Sequence, residues 1–324
     1  MERLGKYHIA RRLSQGRSTD ILLGHSEDAG GFHRECAIKA MSPRFARVGS
    51  SVRAFIDETR TTAMLTHPNI AMAFDCAEDR GRYYMVLEYV PGWSLRSVFA
   101  TLALRRKLVS LDIAMSLVRD IAAGLHHAHM LGVVHRDVTP SNVLLGKDGY
   151  AKLIDWGSAL AVEDGSSSGN ARRPTATRYS APEVIWNDPT DARADVYSLG
   201  VILFELSTGR QLFKNGNPLD AIAKAEIPKP STVRRGYPAS LESVVKRALS
   251  QHPDDRFRTA GDLQLALEML ATEHKFPLSS FRVGAFLTGL FDELEARTPP
   301  TSVLRNANAG KTRIRVTRSR QRAV

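Results

Sequence analysis

A chain of 324 residues, 43% hydrophobic and 24% charged, can bury a substantial core and is too apolar to be a disordered polymer. No apolar run approaches the roughly 18 residues needed to cross a bilayer. The start, Met1-Glu2-Arg3-Leu4-Gly5, lacks a signal-peptide core, and the only cysteines, Cys36 and Cys76, match neither a disulfide framework nor a zinc knuckle. The chain is therefore expected to be cytoplasmic, without a transmembrane segment, and both thiols to be buried and reduced.

From the N-terminus, Tyr7–Ser14 and Asp20–His25 read as β-prone runs joined by Gln15-Gly16-Arg17-Ser18-Thr19, a hairpin with its glycine at the turn. A third strand, Glu35–Met41, carries Lys39. An apolar strand that turns one Lys inward needs an anionic partner, either a phosphate or a carboxylate; an edge-strand Lys facing water is the bland alternative. Ser51–Leu65 reads as a helix ended by His67-Pro68-Asn69, and it offers Asp57 and Glu58. Strands Ile70–Ala77 and Arg82–Glu88 follow, and Pro91-Gly92 closes the second.

Beyond Gly92 the apolar period changes from two to 3.6. Leu111–Leu131 carries Ile113, Leu117, Val118, Ile121 and Leu125 on one helical face, with His126, His127 and His129 at its end. That His spacing suits a metal pair, but satisfied histidines at a helix C-terminus are the preferred reading. Next comes His135-Arg136-Asp137-Val138-Thr139-Pro140-Ser141-Asn142, then Leu153-Ile154-Asp155-Trp156-Gly157. An Asp and an Asn five residues apart on one loop can divide the work of phosphoryl transfer. The carboxylate takes a hydroxyl proton, the amide oxygen ligates a hard cation, and a second Asp ending an apolar strand adds charge for that cation. The stretch Gly165–Arg173 has loop composition. Ala194–Thr208 is apolar enough to be a buried helix, Leu241–Leu249 and Ala260–Leu270 are further helices, and Phe281–Glu295 is amphipathic.

The net charge of +11 is uneven: residues 296–324 hold eight Lys or Arg and no acid, leaving +3 for residues 1–295. This basic tail could meet nucleic acid electrostatically, but it has no aromatic residues for base stacking, which argues against that partner. A solubilising tail is an equally good reading. Its hydroxyls, among them Thr298, Thr312 and Ser319, also suit it to phosphorylation and then to phosphopeptide-reading partners.

Taken in order, the hairpin around Gly16, Lys39, Glu58, His135-Arg136-Asp137 with Asn142, Asp155-Trp156-Gly157, Ala181-Pro182-Glu183, Asp195 to Gly200 and Arg256 resemble the eukaryotic-type Ser/Thr protein kinases in their bacterial (Hanks-type) form, over residues 7–270. The resemblance implies an α+β, bilobal protein-kinase-like fold. Residues 1–89 would form a small β-rich N-lobe with one main helix, 90–272 a larger, mostly helical C-lobe, 273–295 an accessory helix and 296–324 the basic tail. It implies ATP and Mg²⁺ as cofactors and proteins with Ser/Thr acceptors as substrates, the chain itself included.

Residue by residue, the resemblance makes Asp137 the residue that orients and deprotonates the acceptor, Lys39 the phosphate contact, Glu58 its partner, and Asn142 and Asp155 the metal ligands. Leu13, Gly16, Ile21, Ala37, Leu87, Glu88, Val90 and Leu144 would surround the nucleotide. Glu183 and Arg256 would form a buried ion pair, and Asp195 would brace the catalytic loop. Four departures bear on rate: Ser14 and Thr19 replace two glycines of the phosphate loop, Thr139 a Lys, Trp156 a Phe, and Ala176 a hydroxyl residue flanked by Thr175 and Thr177. The altered loop and Trp156 support an alternative, a nucleotide-binding pseudokinase that signals by docking. Arg136 needs an anion, and a phosphate added between Ser166 and Thr177 would supply it; an Arg satisfied by backbone carbonyls is the bland alternative.

Overall fold

The structure is a computed structural model that describes residues 3–27, 33–157, 160–161, 176–214, 217–224 and 227–295. Residues 162–175 and 296–324, where the expected phosphorylation sites other than Thr177 fall, therefore lie outside the described residues.

The first lobe is one antiparallel six-stranded sheet in the order β1-β2-β3-β4-β6-β5, with strands β1 (Arg3–Leu4), β2 (Tyr7–Gln15), β3 (Thr19–Glu27), β4 (His33–Met41), β5 (Ala73–Asp79) and β6 (Arg82–Glu88). Helix α1 (Gly49–Met64) joins β4 to β5. Period-two alternation sends Cys36, Ile38 and Ala40 of β4 into a cluster with Leu22, Tyr84 and Val86. Ala37 and Lys39, between them, face the other way. Helix α1 buries Phe55, Glu58, Thr59 and Thr62, a stripe at 3.6-residue spacing that is mostly polar. The carboxylate expected to sit on a helix facing either solvent or Lys39 is therefore on the inner face.

Two expectations for this lobe need correction. Cys36 is buried, but Cys76 is exposed, because β5 is the sheet's outer strand. Ile70 does not open β5: it forms a parallel bridge to Leu153, and Asn69 accepts from the Leu153 N–H at 2.8 Å while donating to the Ala151 carbonyl at 2.9 Å. The segment before β5 is thus spent on the second lobe.

That lobe begins with β7 (Gly92–Ser94) and α2 (Leu95–Arg105), neither foreseen from sequence, followed by α3 (Leu111–Met130), β8 (Val133–Val134), β9 (Val143–Gly146), β10 (Ala151–Leu153) and β11 (Leu160–Ala161). Its helices continue as α4 (Pro182–Trp186), α5 (Arg193–Thr208), α6 (Pro218–Ala223), α7 (Pro230–Val233), α8 (Ala239–Ala248), α9 (Ala260–Glu273) and α10 (Ser280–Glu295). Helix α5 is buried from Ala194 to Thr208 and stops at Gly209, whose φ of 69° lies in the left-handed region. Helix α9 starts on a reciprocal Thr259–Asp262 capping box. One large core joins α3, α5, α8 and α9 with β9 and β10.

The amphipathic C-terminal helix is part of this body. Phe291 of α10 stacks on Trp93 of β7, ring centroids 4.4 Å apart, and Arg282 bridges to Asp112 at 2.9 Å. The turn between β9 and β10 meets α10 so closely that a Cβ on Gly149 would lie 1.8 Å from the Ser280 carbonyl oxygen. Apolar contact should dominate this docking: Asp112 is buried, but the Arg282 guanidinium is half-exposed, so water screens the pair. We expect Arg282→Ala to cost less than about 1 kcal/mol. Phe291→Ala should cost about 3 kcal/mol, because it empties a buried stacked site. Chemical denaturation of both variants checks the order; equal losses would make the ion pair the anchor.

Candidate active site

A cleft of about 1520 Å³ runs between the lobes. Of the residues expected around a nucleotide, Gly16, Ile21, Ala37, Lys39, Leu87, Glu88 and Leu144 line it, and Leu13 and Val90 do not. The register explains Leu13: Arg12 pairs with Leu22 and Ser14 with Ile21, so Leu13 sits in a bulge and Ser14 takes the cleft-facing place. Val90 is buried beyond the end of β6. At the hairpin tip the Gly16 N–H donates to the Thr19 carbonyl at 2.9 Å, and a Cβ on Gly16 would come within 2.6 Å of that oxygen. The turn itself therefore requires its one glycine.

Lys39 reaches across the cleft root. Its Nζ pairs with Glu58 Oε1 and donates to Asp155 Oδ1 at 3.0 Å. Burial alone would lower the Lys39 pKa, but the two carboxylates outweigh it and raise it. The same ammonium holds Asp155 down at about 2, so this carboxylate is ionised at any physiological pH. Asp155 has a φ of 66°, which turns its side chain out of the strand line toward Lys39. Trp156 is 1% exposed, and its ring packs 4.5 Å from that of His135. The bulkier aromatic is therefore accommodated inside the lobe, with its Nε1 left unpartnered among the described residues.

The loop after β8 is braced from below. Asp195, on the first turn of α5, accepts from the backbone N–H groups of His135 at 2.9 Å and Arg136 at 2.8 Å, and bonds His129 Nε2 at 2.8 Å. Burial would raise the Asp195 pKa, and these donors reverse it. His129 is thereby a positioning residue, a role that its place among the helix-end histidines does not reveal. The helix-end histidines are not all satisfied as expected: His126 Nδ1, His127 Nε2 and His129 Nδ1 are buried without a hydrogen-bond partner among the described residues.

Asn142 Nδ2 donates both to the Asp137 carbonyl at 2.9 Å and to Asp137 Oδ2 at 3.0 Å. Burial pushes the Asp137 carboxyl above its usual range, partly countered by His135 and Asn142. The Arg136 guanidinium has only a long contact among the described residues, 3.5 Å to the Thr190 carbonyl, and its buried Nε has no partner there. Beside Ala176, the Thr177 hydroxyl is spent within its own turn, accepting from the Tyr179 N–H at 3.2 Å. Thr175, the other flanking hydroxyl, lies outside the described residues.

A β-sheet lobe carrying a Lys–Glu pair, set over a helical lobe that presents an Asp and an Asn from one braced loop, defines a bilobal protein-kinase-like fold. The family model of the protein kinase domain matches residues 7–269. The chain is 33% identical over 300 residues to a protein named tyrosine-protein kinase MasK of Myxococcus xanthus, covering 89% of this chain and 46% of that one. It is 33% identical to the serine/threonine-protein kinase PknB of Mycobacterium tuberculosis (81% and 42% covered) and 34% identical to PksC of Streptomyces coelicolor (79% and 47%). Among solved structures, the kinase domain of Mycobacterium tuberculosis PknI superposes with a TM-score of 0.62 at 27% identity, covering 83% of this chain and 97% of that one. The chain belongs to the protein kinase domain family, in its bacterial Hanks-type form. It spans less than half the length of these curated relatives. No described helix is long and apolar enough to cross a membrane.

Proposed function

We propose that this chain is a protein kinase that moves the γ-phosphoryl group of ATP to Ser or Thr hydroxyls of proteins. The observation that carries the reading is the single cleft in which Lys39 is fixed between Glu58 and Asp155 while Asp137 and Asn142 face the same space. Lys39 would hold the α and β phosphates, oriented by Glu58, and the apolar walls Ile21, Ala37 and Leu144 would take the base.

The donor set fits Mg²⁺. Asn142 spends its amide hydrogens on Asp137, leaving its oxygen, and the half-exposed Asp155 has one carboxylate oxygen beyond the Lys39 contact. When bound there, the ion would neutralise phosphate charge. Asp137 would accept the proton of the attacking hydroxyl as the oxygen–phosphorus bond forms and ADP departs. Its raised pKa makes it a better base than an ordinary carboxylate.

Incubating the full chain with labelled ATP, Mg²⁺ and a general acceptor, followed by phosphoamino-acid analysis, tests both the transfer and the acceptor. Label on Ser or Thr supports the proposal. Label on Tyr would assign the acceptor class printed in the name of the Myxococcus xanthus relative. Nucleotide binding without label would assign the docking role. We expect Lys39→Met to lower kcat by about 10²- to 10³-fold, the scale of removing one preorganised electrostatic contact. The fold should survive at reduced stability: Lys39 belongs to none of the apolar clusters, but its loss leaves Glu58 buried without its partner.

A further inference from the structure

Past Asp137, the same cleft continues along the helical lobe, and its wall there is cationic. Arg96 and Arg106 stand at the two ends of α2, Lys107 follows, Arg178 precedes α4, and Arg210 and Lys214 follow α5. None of the six forms an ion pair among the described residues, although Arg193, Arg256 and Arg282 of the same lobe all do. Residues 1–295 carry a net charge of only +3, so six unpaired cations on one wall are a local excess and not the average of the chain.

Among the described residues, the one carboxylate on this wall is already spent. Glu205 is buried, its Oε2 accepts from the Tyr179 hydroxyl at 2.9 Å, and its Oε1 accepts from the Leu212 N–H at 3.2 Å. It therefore cannot offer a basic substrate its partner without breaking that network. Like charges lining one cleft focus a positive field toward whatever enters it.

We propose that the chain selects acceptor segments by anionic side chains flanking the hydroxyl, and that Arg96, Arg106, Lys107, Arg178, Arg210 and Lys214 form the surface that reads them. The proposal rests on the kinase reading above. The anions are carboxylates of Asp and Glu or phosphates on residues already modified, two sources of one chemistry. Phosphate would gain more from the guanidinium groups, whose fork geometry matches it.

The test is a panel of peptides with one Thr in an Ala/Gly background, flanked by Glu, by phosphoserine, by neutral residues or by Lys, phosphorylated by the full chain. Three exposed charge contacts of ordinary strength multiply to about a tenfold fall in KM for the acidic peptides relative to the neutral one. That advantage should shrink in high salt. A larger gain with phosphoserine than with Glu would name the phosphorylated source, and the reverse order would name the acidic one. The doubly reversed variant Arg210→Glu, Lys214→Glu should lose the preference and turn over the Lys-flanked peptide better than the parent does, with KM for ATP unchanged.

Equal or better use of neutral or Lys-flanked peptides by the parent would overturn the proposal while leaving the kinase reading standing. A second readout separates the two. Fluorescence anisotropy of the labelled acidic peptide with Ala in place of Thr reports binding without transfer. Salt-sensitive binding with no transfer to any peptide would sink the kinase reading alone. A single-stranded oligonucleotide that displaces this peptide and binds more tightly would give the wall to nucleic acid, and the proposal would fall.

Discussion

Replacing Asp137 by Asn is expected to lower kcat by about 10³-fold, the middle of the range for one general acid–base group, while KM for ATP changes little. The site makes a second prediction that separates lost chemistry from lost structure. Burial raises the Asp137 pKa, so the folded chain holds the proton more tightly than the unfolded chain. The sign follows: this group favours folding below the usual carboxylate range, and that contribution is lost as pH rises through the raised value. At neutral pH the ionised Asp137 therefore destabilises the fold, and the Asn variant should melt higher than the parent even as it loses activity. In the parent, kcat/KM should fall as pH drops through the raised Asp137 pKa. Calorimetry and a pH–rate series check both; a variant that is inactive and also melts lower would mean that Asp137 is structural.

The sequence made most of the helical lobe legible because its helices are apolar on one face. Leu117, Val118 and Ile121 of α3, like the buried run of α5, declare their period. Helix α2 carries the same signals, with Ser94 as N-cap and Leu95, Val98 and Leu102 buried. Helix α1 defeats a hydrophobic reading, since Glu58, Thr59 and Thr62 are polar residues on the buried face. Glu58 is legible only through the family resemblance and the need of Lys39 for an anion, not through any local signal.

Departures from simple alternation leave no mark in the sequence. The bulge at Leu13 swaps it with Ser14, and Ile70 is diverted to pair with Leu153. The hydrogen bond of Tyr179 to Glu205 joins residues 26 apart in sequence, and the His129 contact to Asp195 joins residues 66 apart. Neither segment announces its partner.

Arg256→Ala should be the most destabilising of these single substitutions. Arg256 is almost wholly buried, and its two terminal nitrogens donate to Glu183 Oε1 and Oε2, each at 2.7 Å. It also donates to three backbone carbonyls, those of Ser250 at 2.8 Å, Gln251 at 2.9 Å and Arg193 at 3.1 Å. Its guanidinium carbon lies 5.0 Å from the Tyr197 ring centroid. Such a pair adds little over a well-packed apolar replacement, because desolvating two ions offsets their attraction; removing one partner is different, since it strands the other and costs about 4 kcal/mol. In a domain of this size that loss lowers Tm by about 10 °C. Arg256→Lys should recover only part of it, because a single ammonium cannot reproduce the two-pronged contact or reach every carbonyl. The double variant Glu183→Leu, Arg256→Met should be more stable than Arg256→Ala, since no buried charge is left alone. The loss should also reach the cleft: Glu183 lies on the first turn of α4, directly after the segment that sets Thr177, Arg178 and Tyr179 against the cleft. Below its lowered Tm, Arg256→Ala should therefore show a raised KM for peptide while KM for ATP stays near the parent value. Calorimetry of the three variants with steady-state assays at reduced temperature decides it, and a double variant no more stable than Arg256→Ala would show that the cost lies in the orphaned carbonyls and not in the stranded carboxylate.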